Sequence, residues 1–261
     1  AGALRCLTLE NYGRSDLIME KDIESGAGWF AEQIKKGRVV IFSGAGLSTE
    51  SGLADFRSKE GIWAHVDPMQ YASINALERD YDSFRKFYMA RLYVPESVQP
   101  NKGHRYVAEW EAEGYVIGVI TQNVDRLHQK AGTVKIAELH GSLEPIRCHS
   151  CGKIWDTQHF LNGDRCDCGG VLRPGVVLFG EMLPDEPLRL ADEWSSDCDT
   201  FVVLGSSLVV SPANYFPRQA KNSGAKLIIV NRDETPLDRI ANLAVHEGIG
   251  DYLEKVAGYM K

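Results

Sequence analysis

The segment that most constrains the fold lies between Arg38 and Arg57 and reads RVVIFSGAGLSTESGLADFR. Its VVIF run is continuously apolar, as is typical of a strand buried on both faces of a parallel sheet. Gly44 and Gly46 then permit the backbone angles and the close approach that a bound phosphate requires, and Ser48 and Thr49 follow as hydroxyl donors at a helix start. The segment therefore predicts a strand, turn and helix that bind a nucleotide.

The glycine spacing in this turn differs from that of the dehydrogenase fingerprint. In G-x-G-x-x-G the third glycine would fall at position 49, where the chain has Thr49, and the next glycine is Gly52. The turn is therefore compatible with a dinucleotide but does not indicate hydride transfer. A tight strand-to-helix turn that holds no ligand is the alternative interpretation of these glycines alone.

Composition excludes several classes of protein. The chain has 261 residues, 44% of them hydrophobic, which is enough to bury a full core. A net charge of -7 leaves no diffuse basic surface, so nucleic acid is not expected as a ligand. No window approaches the ~18 apolar residues of a membrane span, and the first residues lack the order of a secretory signal. We therefore expect a cytoplasmic protein. We also expect it to be a monomer.

Apolar strands alternate with helical segments along the chain. The predicted strands after the first one lie at Val116–Ile120, at Ile136–Leu139, within Arg173–Pro184, from Phe201 onward and at Lys226–Val230. This alternation predicts an α/β fold with a doubly wound, Rossmann-like parallel sheet, whose ligand lies beyond the carboxyl ends of the strands.

Two segments interrupt this pattern. We assign residues 37–64, 101–143 and 176–261 to the Rossmann-like core. Residues 65–100 form a helical insertion in which aromatic side chains recur at three- and four-residue steps. Residues 144–175 form a smaller, zinc-binding module, so the whole chain makes one domain with this module attached.

Four cysteines define the zinc-binding module. Cys148 and Cys151 form C-x2-C, and Cys166 and Cys168 form C-x-C. Four thiolates make a closed tetrahedral zinc site with no open position, so this Zn²⁺ is expected to be structural. The C-x-C half is tighter than usual, which leaves a histidine such as His149 or His159 as a substitute ligand. A reactive dithiol pair and a ribbon that binds nucleic acid or protein are the alternatives.

Taken together, the motifs resemble those of the sirtuins, the NAD-dependent protein-lysine deacylases. GAGLSTESGLADFR with GIW after it, then TQNVDRLH, ELHGS, the two cysteine pairs, RPGVVLFGE, GSSL and Asn231 follow the order of that family over about residues 38 to 250. Ala54 stands where most members have proline, which leaves the flanking residues in register. The resemblance implies that NAD is consumed as a co-substrate.

In this family the acyl-lysine carbonyl oxygen attacks the ribose carbon that bears nicotinamide, and a ribose hydroxyl deprotonated by histidine then attacks the alkylamidate. The resemblance assigns the base to His140, for which the near-neutral pKa of imidazole is suitable. The products are nicotinamide and an O-acyl-ADP-ribose. Asn123 and Asp125 would hold the ribose and the nicotinamide, Gln122 would contact the nucleotide, and Phe56 would cover the reactive carbon. The other residues that the resemblance assigns to NAD are Gly44, Ala45, Gly46, Ser48, Asp55, Arg57 (at the phosphates), Trp63, Gly205, Ser206, Ser207, Asn231 and Ile249.

The resemblance also places the substrate. An acyl-lysine peptide would add a strand between Val177–Glu181 and Ser207–Val210, and main-chain pairing of this kind gives little choice of sequence. Its contacts in the first segment would be Val177, Phe179, Gly180 and Glu181.

Tyr88 and Arg91, spaced i and i+3 on a helix, resemble the acyl-pocket motif of sirtuins that remove succinyl and malonyl groups, and Ala72 stands at that subgroup's small residue. The structural alternative is that Tyr88 lies in the core and Arg91 in solvent. The functional alternatives are a plain deacetylase and a mono-ADP-ribosyltransferase that cleaves NAD in the same way.

Overall fold

The structure, a computed structural model, describes residues 23–56, 58, 61–64, 66–92 and 98–261. The α-helices are α1 (Ile23–Lys35), α2 (Pro68–Tyr71), α3 (Ile74–Arg79), α4 (Tyr81–Leu92), α5 (Lys102–Ala112), α6 (Leu127–Ala131), α7 (Thr157–Asn162), α8 (Asp185–Asp197), α9 (Tyr215–Asn222) and α10 (Ile249–Gly258). The strands are β1 (Val39–Ser43), β2 (Val116–Thr121), β3 (Ile136–Glu138), β4 (Ile146–Cys148), β5 (Ile154–Trp155), β6 (Leu172–Pro174), β7 (Thr200–Leu204), β8 (Lys226–Val230) and β9 (Leu243–Val245). Within these described ranges, no helix has the length and apolar character needed to cross a membrane.

A six-stranded parallel sheet forms the larger part of the molecule, in the order β3-β2-β1-β7-β8-β9. Strand β1 is buried at all five positions, as its apolar sequence predicts. The chain runs outward from β1 to β3 on one side and from β7 to β9 on the other. The strand order therefore reverses between β1 and β7, and this switch point is where doubly wound sheets bind ligands. The predicted fold class is confirmed.

Each face of this sheet is covered by helices. On one face, α1, α5 and α10 pack through Phe30, Trp110 and Tyr252 against apolar residues of the central strands. On the other face, α8 and α9 lie over Phe42 and Phe201. These two apolar layers hold the strands rigidly, so the loops at their carboxyl ends start from fixed positions.

A second, smaller sheet has the antiparallel order β5-β4-β6 and carries the four cysteines around it. It shares an apolar core with the helical insertion, in which Phe84 of α4 and Phe160 of α7 are both fully buried. Two side chains of α4 also bind backbone carbonyls of the zinc-binding module: the Tyr81 hydroxyl donates to Leu172 O at 2.8 Å, and Arg85 Nη1 donates to Leu161 O at 2.8 Å. The insertion and the zinc-binding module are thus packed together, whereas the exact domain boundaries stay a prediction.

The sequence prediction of a strand within Arg173–Pro184 is wrong for most of that segment. Only Leu172–Pro174 is a strand, and it belongs to the small sheet instead of the large one. Residues 175–184 form no helix or strand, apart from a single bridge between Ser73 and Phe179. The reason is that the backbone groups here bind side chains and neighbouring loops, Arg173 and His140 among them, and no sheet partner.

The sequence has helical spacing over residues 15–36. Helix α1 begins at Ile23, and the earlier part of that segment lies outside the described residues. Strand β9 was not predicted, because its three residues are too few to show a periodic pattern.

The four cysteine sulfurs form one compact cluster, with all ligand atoms within 4.8 Å of one another. Cys148 Sγ lies 3.5 Å from Cys168 Sγ, and Cys151 Sγ lies 3.6 Å from Cys166 Sγ. A tetrahedral site with Zn–S bonds of about 2.3 Å requires sulfurs about 3.8 Å apart, so the cluster fits zinc. Neither His149 nor His159 belongs to it, and His159 Nδ1 instead lies 2.8 Å from Asp164 Oδ2. Since the small sheet is short, this cluster is expected to hold the module's fold and to take no part in the reaction.

We expect about one zinc per chain and a loss of stability when one ligand is removed. Cys166→Ala should lower both the zinc content and the thermal unfolding midpoint, because an incomplete ligand set no longer closes the module. Elemental analysis and thermal unfolding measure the two effects. Cys198→Ala removes a buried thiol far from the cluster in sequence and is the matched control, with zinc content unchanged. Folded, active protein without zinc would contradict the assignment.

Candidate active site

The turn after β1 packs directly against the turn after β7. Gly44 N donates to Leu204 O at 3.0 Å, and Gly46 N donates to Gly205 O at 2.9 Å. A Cβ on Gly46 would lie 2.8 Å from Gly205 Cα, and a Cβ on Gly44 would lie 2.7 Å from Gly205 O. Gly205 itself has φ +67, and its Cβ would lie 2.2 Å from Leu47 N. These glycines are therefore required by contact between the two turns. For Gly44 and Gly46, this is a second constraint beside the close approach of a phosphate that the sequence predicts.

The hydroxyl groups that follow this turn are bound within the chain. The helix predicted after the turn is a 3-10 helix at Ala45–Ser51. The Ser48 hydroxyl is buried and donates to Asp125 Oδ2 at 2.7 Å, and Thr49 Oγ1 donates to Gly46 O at 2.9 Å. The Asn123 side chain donates to Gly44 O at 3.0 Å and to Ser48 Oγ at 3.2 Å. Ser48, Asn123 and Asp125 thus form one hydrogen-bonded network beneath the turn.

Burial shapes the ionisation of Asp125. Desolvation raises the pKa of its carboxyl group, and hydrogen bonds from Leu127 N–H and the Ser48 hydroxyl counteract part of that rise. These donors fix the orientation of the carboxylate at the start of α6.

A buried histidine pair extends the network into the core, and the sequence analysis did not identify it. His128 Nε2 lies 2.9 Å from Ser43 Oγ, which donates to Thr121 Oγ1 at 2.8 Å. Thr121 Oγ1 in turn accepts the backbone N–H of Asn123 at 3.1 Å. The ring of His104 packs edge-on against His128 at 5.1 Å between centroids. The sequence gives one signal for this pair, which is that His128 lies within the motif TQNVDRLH. Nothing in the sequence shows that His104 contacts it.

Both histidines are held in the neutral form. Burial lowers the pKa of His104 to about 4, and burial together with the neighbouring His104 lowers the pKa of His128 to about 3. Neither ring nitrogen of His104 has a hydrogen-bond partner within the part of the chain that the structure describes. The two rings therefore pack as neutral groups beneath the turn after β1, to which His128 is linked through Ser43, Thr121 and Asn123.

A polar cleft of roughly 170 Å³ opens above the two turns. The predicted NAD residues that line it are Gly44, Ala45, Gly46, Asp55, Phe56, Gln122, Asn123, Gly205, Ser206, Ser207 and Asn231. Ser206 Oγ donates to Gln122 Oε1 at 2.8 Å, which joins the loops after β2 and β7. An adjoining cavity of roughly 430 Å³ is lined by Ile249 together with Glu50, Asp55 and Asn231.

Four predicted NAD residues do not line these spaces or cannot be placed. Ser48 and Asp125 line neither space and lie beneath them. Arg57 lies outside the described residues, and so does the side chain of Trp63.

An apolar cavity of roughly 430 Å³ lies beside the polar cleft. The predicted substrate residues Ala72, Tyr88, Arg91, Val177, Phe179, Gly180 and Glu181 all line it. Phe56, Gln122, Val210 and His140 line both this cavity and the polar cleft, so the two spaces meet at these side chains.

His140 is held by the loop after β2 as well as by its own. Its Nδ1 lies 3.0 Å from Gln122 O. A carbonyl oxygen only accepts, so the ring hydrogen of a neutral imidazole belongs on Nδ1, which makes Nε2 the basic nitrogen. His140 O also accepts Val177 N–H at 2.8 Å, so the same residue contacts the segment that lines the apolar cavity.

Tyr88 and Arg91 project from α4 toward the same cavity. Tyr88 is buried beside Phe84, with ring centroids 4.7 Å apart, and burial raises the pKa of its phenol so that it stays a hydrogen-bond donor. The Arg91 guanidinium stacks on the Phe87 ring at 3.5 Å and donates to Phe87 O at 3.1 Å. Burial lowers the pKa of Arg91 to about 10, which still leaves it charged at neutral pH. Tyr88 therefore belongs to the core and also reaches the cavity.

The segment predicted to pair with a peptide strand has most of its backbone groups already bound. Phe179 N donates to Ala72 O at 2.9 Å, and Phe179 O accepts Ile74 N–H at 3.1 Å. Leu178 N donates to Glu181 Oε2 at 2.7 Å. The Glu181 carboxylate is also bound by Arg173, so it faces the protein interior as well as the cavity. Only part of this segment is left to pair with another chain.

Comparison with known proteins gives consistent matches across the chain. The model of the Sir2 family matches residues 44–212. The chain is 47% identical over 229 residues to the NAD-dependent protein deacetylase of Halalkalibacterium halodurans, covering 87% of this chain and 95% of that protein. It is 40% identical over 254 residues to the NAD-dependent protein deacylase 2 of Archaeoglobus fulgidus, covering 93% and 98%.

Solved structures agree with these relatives. One from work on the mechanism and regulation of Sir2 enzymes has a TM-score of 0.84 at 40% identity, covering 91% of this chain and 98% of that one. A Sir2 complex with a p53 peptide and NAD⁺ has a TM-score of 0.80 at 36% identity, covering 88% and 96%. Sir2Af2 bound to a myristoylated histone peptide has a TM-score of 0.77 at 37% identity, covering 91% and 97%.

The buried histidine pair predicts a loss of stability in acid. In the folded chain the pKa values of His104 and His128 are about 4 and about 3, below the 6.5 of an exposed histidine, so the unfolded chain binds protons that the folded chain does not. The stabilisation is therefore fully present above about pH 6.5. It should fall by about 1.4 kcal/mol per histidine for each pH unit below that, down to about pH 4.

Denaturant unfolding between about pH 7.5 and 5 measures this effect. His104→Leu should flatten the decline, because it removes one of the two groups that bind protons only after unfolding. His159→Gln changes a half-exposed histidine outside the buried pair and is the control for the loss of an imidazole. Equal pH dependence in the wild type and His104→Leu would contradict the prediction.

Proposed function

Because the chain belongs to the Sir2 family and is an NAD-dependent protein deacylase, we propose that NAD occupies the polar cleft and that acyl-lysine enters the apolar cavity. The observation that carries this proposal is the position of His140, which lines both spaces where they meet. The known complexes of related Sir2 proteins with NAD⁺ and with peptides support it, since both ligands bind members of the same family. Gln122, Phe56 and Val210 surround the same junction.

We assign His140 the role of general base. The hydrogen on Nδ1 is directed at Gln122 O, which leaves Nε2 to take a proton from a ribose hydroxyl at the junction. Asn123 and Asp125 are assigned to the nicotinamide half of NAD, where their bonds to Gly44 and Ser48 hold them in place. Phe56 excludes water from the reacting atoms. Gly205, Ser206, Ser207 and Asn231 hold the rest of the dinucleotide.

His140→Ala should lower the deacylation rate by about 10²- to 10⁴-fold, because it removes the base while the fold is kept. NAD affinity should fall much less, since the other residues of the polar cleft remain. Steady-state kinetics with an acetyl-lysine peptide at saturating NAD, together with a direct NAD binding measurement, separate the two effects. More than about a tenth of wild-type turnover in this variant would assign the base to another residue.

We further propose that the acyl-lysine peptide pairs as an added strand with the open part of Val177–Glu181 and with Ser207–Val210. Within the described part of the chain, Val177 O, both backbone groups of Gly180 and Glu181 O have no backbone or side-chain partner and remain for such pairing. Because main-chain pairing depends little on the side chains of the peptide, the sequence of this chain does not indicate which target proteins it binds. Glu181 would act on the peptide through the shape of this segment, because its carboxylate is already bound.

Within this activity we propose an acidic acyl group, such as succinyl or malonyl, as a substrate. Tyr88 and Arg91 line the same cavity, one as a neutral phenol donor and the other as a charged guanidinium. A carboxylate that reached them would gain charge-assisted hydrogen bonds in a partly dehydrated site, where these bonds are strong. Ala72 lines the same cavity, where its small side chain leaves room. The rest of the cavity is apolar and suits acetyl groups as well.

Arg91→Met tests the acyl preference. The substitution keeps much of the apolar contact with Phe87 and removes the charge, so kcat/KM for succinyl-lysine should fall about 10- to 150-fold, or ~1.5–3 kcal/mol. Acetyl-lysine should be little affected. Arg79→Met removes an exposed arginine from the same insertion and is the control for loss of charge alone.

An equal loss of kcat/KM on both acyl peptides, or a wild type that does not use succinyl-lysine, would show that the protein is a plain deacetylase.

Mass spectrometry of the lysine peptide after reaction with NAD distinguishes deacylation from mono-ADP-ribosyl transfer. Loss of the acyl mass supports deacylation, whereas gain of an ADP-ribosyl mass would support mono-ADP-ribosyl transfer.

A further inference from the structure

Arg173 is an unusual residue for the interior of a protein. Within the ranges that the structure describes, it is the only Lys, Arg, Asp or Glu that is buried, and none of its side chain is exposed. A buried charge is costly unless it is paired and all its hydrogen bonds are made. Its surroundings must therefore satisfy every donor of the guanidinium.

The segment 174–181, here called the substrate loop, supplies these acceptors. Arg173 Nε donates to Pro174 O at 3.2 Å, and Nη2 donates to Val176 O. Nη1 and Nη2 also bind the two carboxylate oxygens of Glu181 at 2.6 and 2.9 Å. The loop thus folds around one guanidinium group, with its first and last residues both bound to it.

Glu181 completes this arrangement from the other end of the loop. Its Oε2 accepts Leu178 N–H at 2.7 Å, and its own N–H donates to Leu178 O at 2.9 Å. Because the loop has no regular strand over these residues, these bonds take the place of a sheet ladder in setting its shape. Burial opposes ionisation of Glu181, but the bonds from Arg173 and Leu178 outweigh it and lower the pKa of the carboxyl group.

The other side of the same loop lines the apolar cavity. Val176, Val177, Leu178, Phe179 and Gly180 all face that space, whereas Arg173 does not. Arg173 therefore lies behind the residues that would touch the acyl-lysine, whereas its partner Glu181 lines the cavity itself. A shift of the guanidinium would move them without any direct contact between Arg173 and the substrate.

The ion pair also connects the loop to the zinc-binding module. Arg173 stands opposite Arg147 of β4 in the small sheet, and Leu172 stands opposite Cys148. Arg147 Nη2 lies 4.0 Å from Glu181 Oε1 and is partly exposed, so it is a weaker second cation for the same carboxylate. Glu181 thus binds two neighbouring residues of the sheet that carries the cysteine cluster.

We propose that Arg173 and Glu181 are positioning residues that set the substrate loop for the acyl-lysine peptide. This inference rests on the proposed placement of the peptide in the apolar cavity. An ion pair at this depth contributes little net stability compared with apolar residues of similar size, so its role is to specify one conformation of the loop. Its removal therefore acts on the peptide and not on NAD.

The experiment measures KM for an acetyl-lysine peptide, KM for NAD, zinc content and thermal stability in two variants. Glu181→Gln removes the charge and should raise the peptide KM at least about tenfold, with the NAD KM within about threefold. The double variant Arg173→Met with Glu181→Met removes the ion pair without leaving an unpaired charge. The double variant should have a thermal stability and a zinc content close to those of the wild type, but its peptide KM should be raised as in Glu181→Gln. Arg147→Met is the control, with a small effect on all four quantities.

An unchanged peptide KM in either folded variant would overturn the inference. A parallel rise of the NAD KM, or failure of both variants to fold, would also overturn it, since the pair would then act on the whole fold. Ala72→Phe distinguishes this result from a failure of the peptide placement. If filling the apolar cavity leaves acetyl-lysine turnover unchanged, the placement is wrong whatever Arg173 does.

Discussion

The active site depends on the contact between two backbone turns at the carboxyl ends of β1 and β7. Gly46 N–H binds Gly205 O, and a side chain at either position would force the turns apart. Asn123 then binds Gly44 O, and Ser206 binds Gln122, so the loops after β1, β2 and β7 become one rigid unit. The polar cleft is the space above this unit. Its shape is therefore determined by backbone contact at the switch point of the sheet, before any ligand arrives.

Sequence reasoning could predict what depends on local pattern or on ordered motifs. The buried strand at Val39–Ser43 follows from its apolar run, and the cysteine cluster follows from two closely spaced pairs. Contacts between distant residues could not be predicted in this way. The pairing of His104 with His128 and the loop that folds around Arg173 depend on which buried groups meet in three dimensions. The failed strand prediction in RPGVVLFGE has the same cause. Its apolar run is typical of a strand, but the buried Arg173 that precedes the run binds the carbonyls of Pro174 and Val176.

The buried histidine pair and the buried Arg173–Glu181 ion pair lie on opposite sides of the junction at His140. On the side of the polar cleft, neutral buried histidines reach Asn123 through Ser43 and Thr121. On the side of the apolar cavity, a buried ion pair supports the substrate loop. Costly buried polar groups are kept where one exact conformation is needed. With NAD and acyl-lysine placed as proposed, these buried groups support the two surfaces that hold the reacting molecules.

A closed zinc site can influence such a reaction without touching it. The zinc-binding module and the helical insertion share one core, and this core supplies both Tyr88 and the strand that carries Arg173. The large sheet supplies His140 and the polar cleft. The apolar cavity is therefore built from two cores that are stabilised by different means, helices over a sheet on one side and a cysteine cluster on the other. Because the proposed nucleotide residues lie on the first core and the proposed acyl-contacting residues lie largely on the second, we expect changes in the second core to alter which acyl group is accepted while the dinucleotide site is preserved.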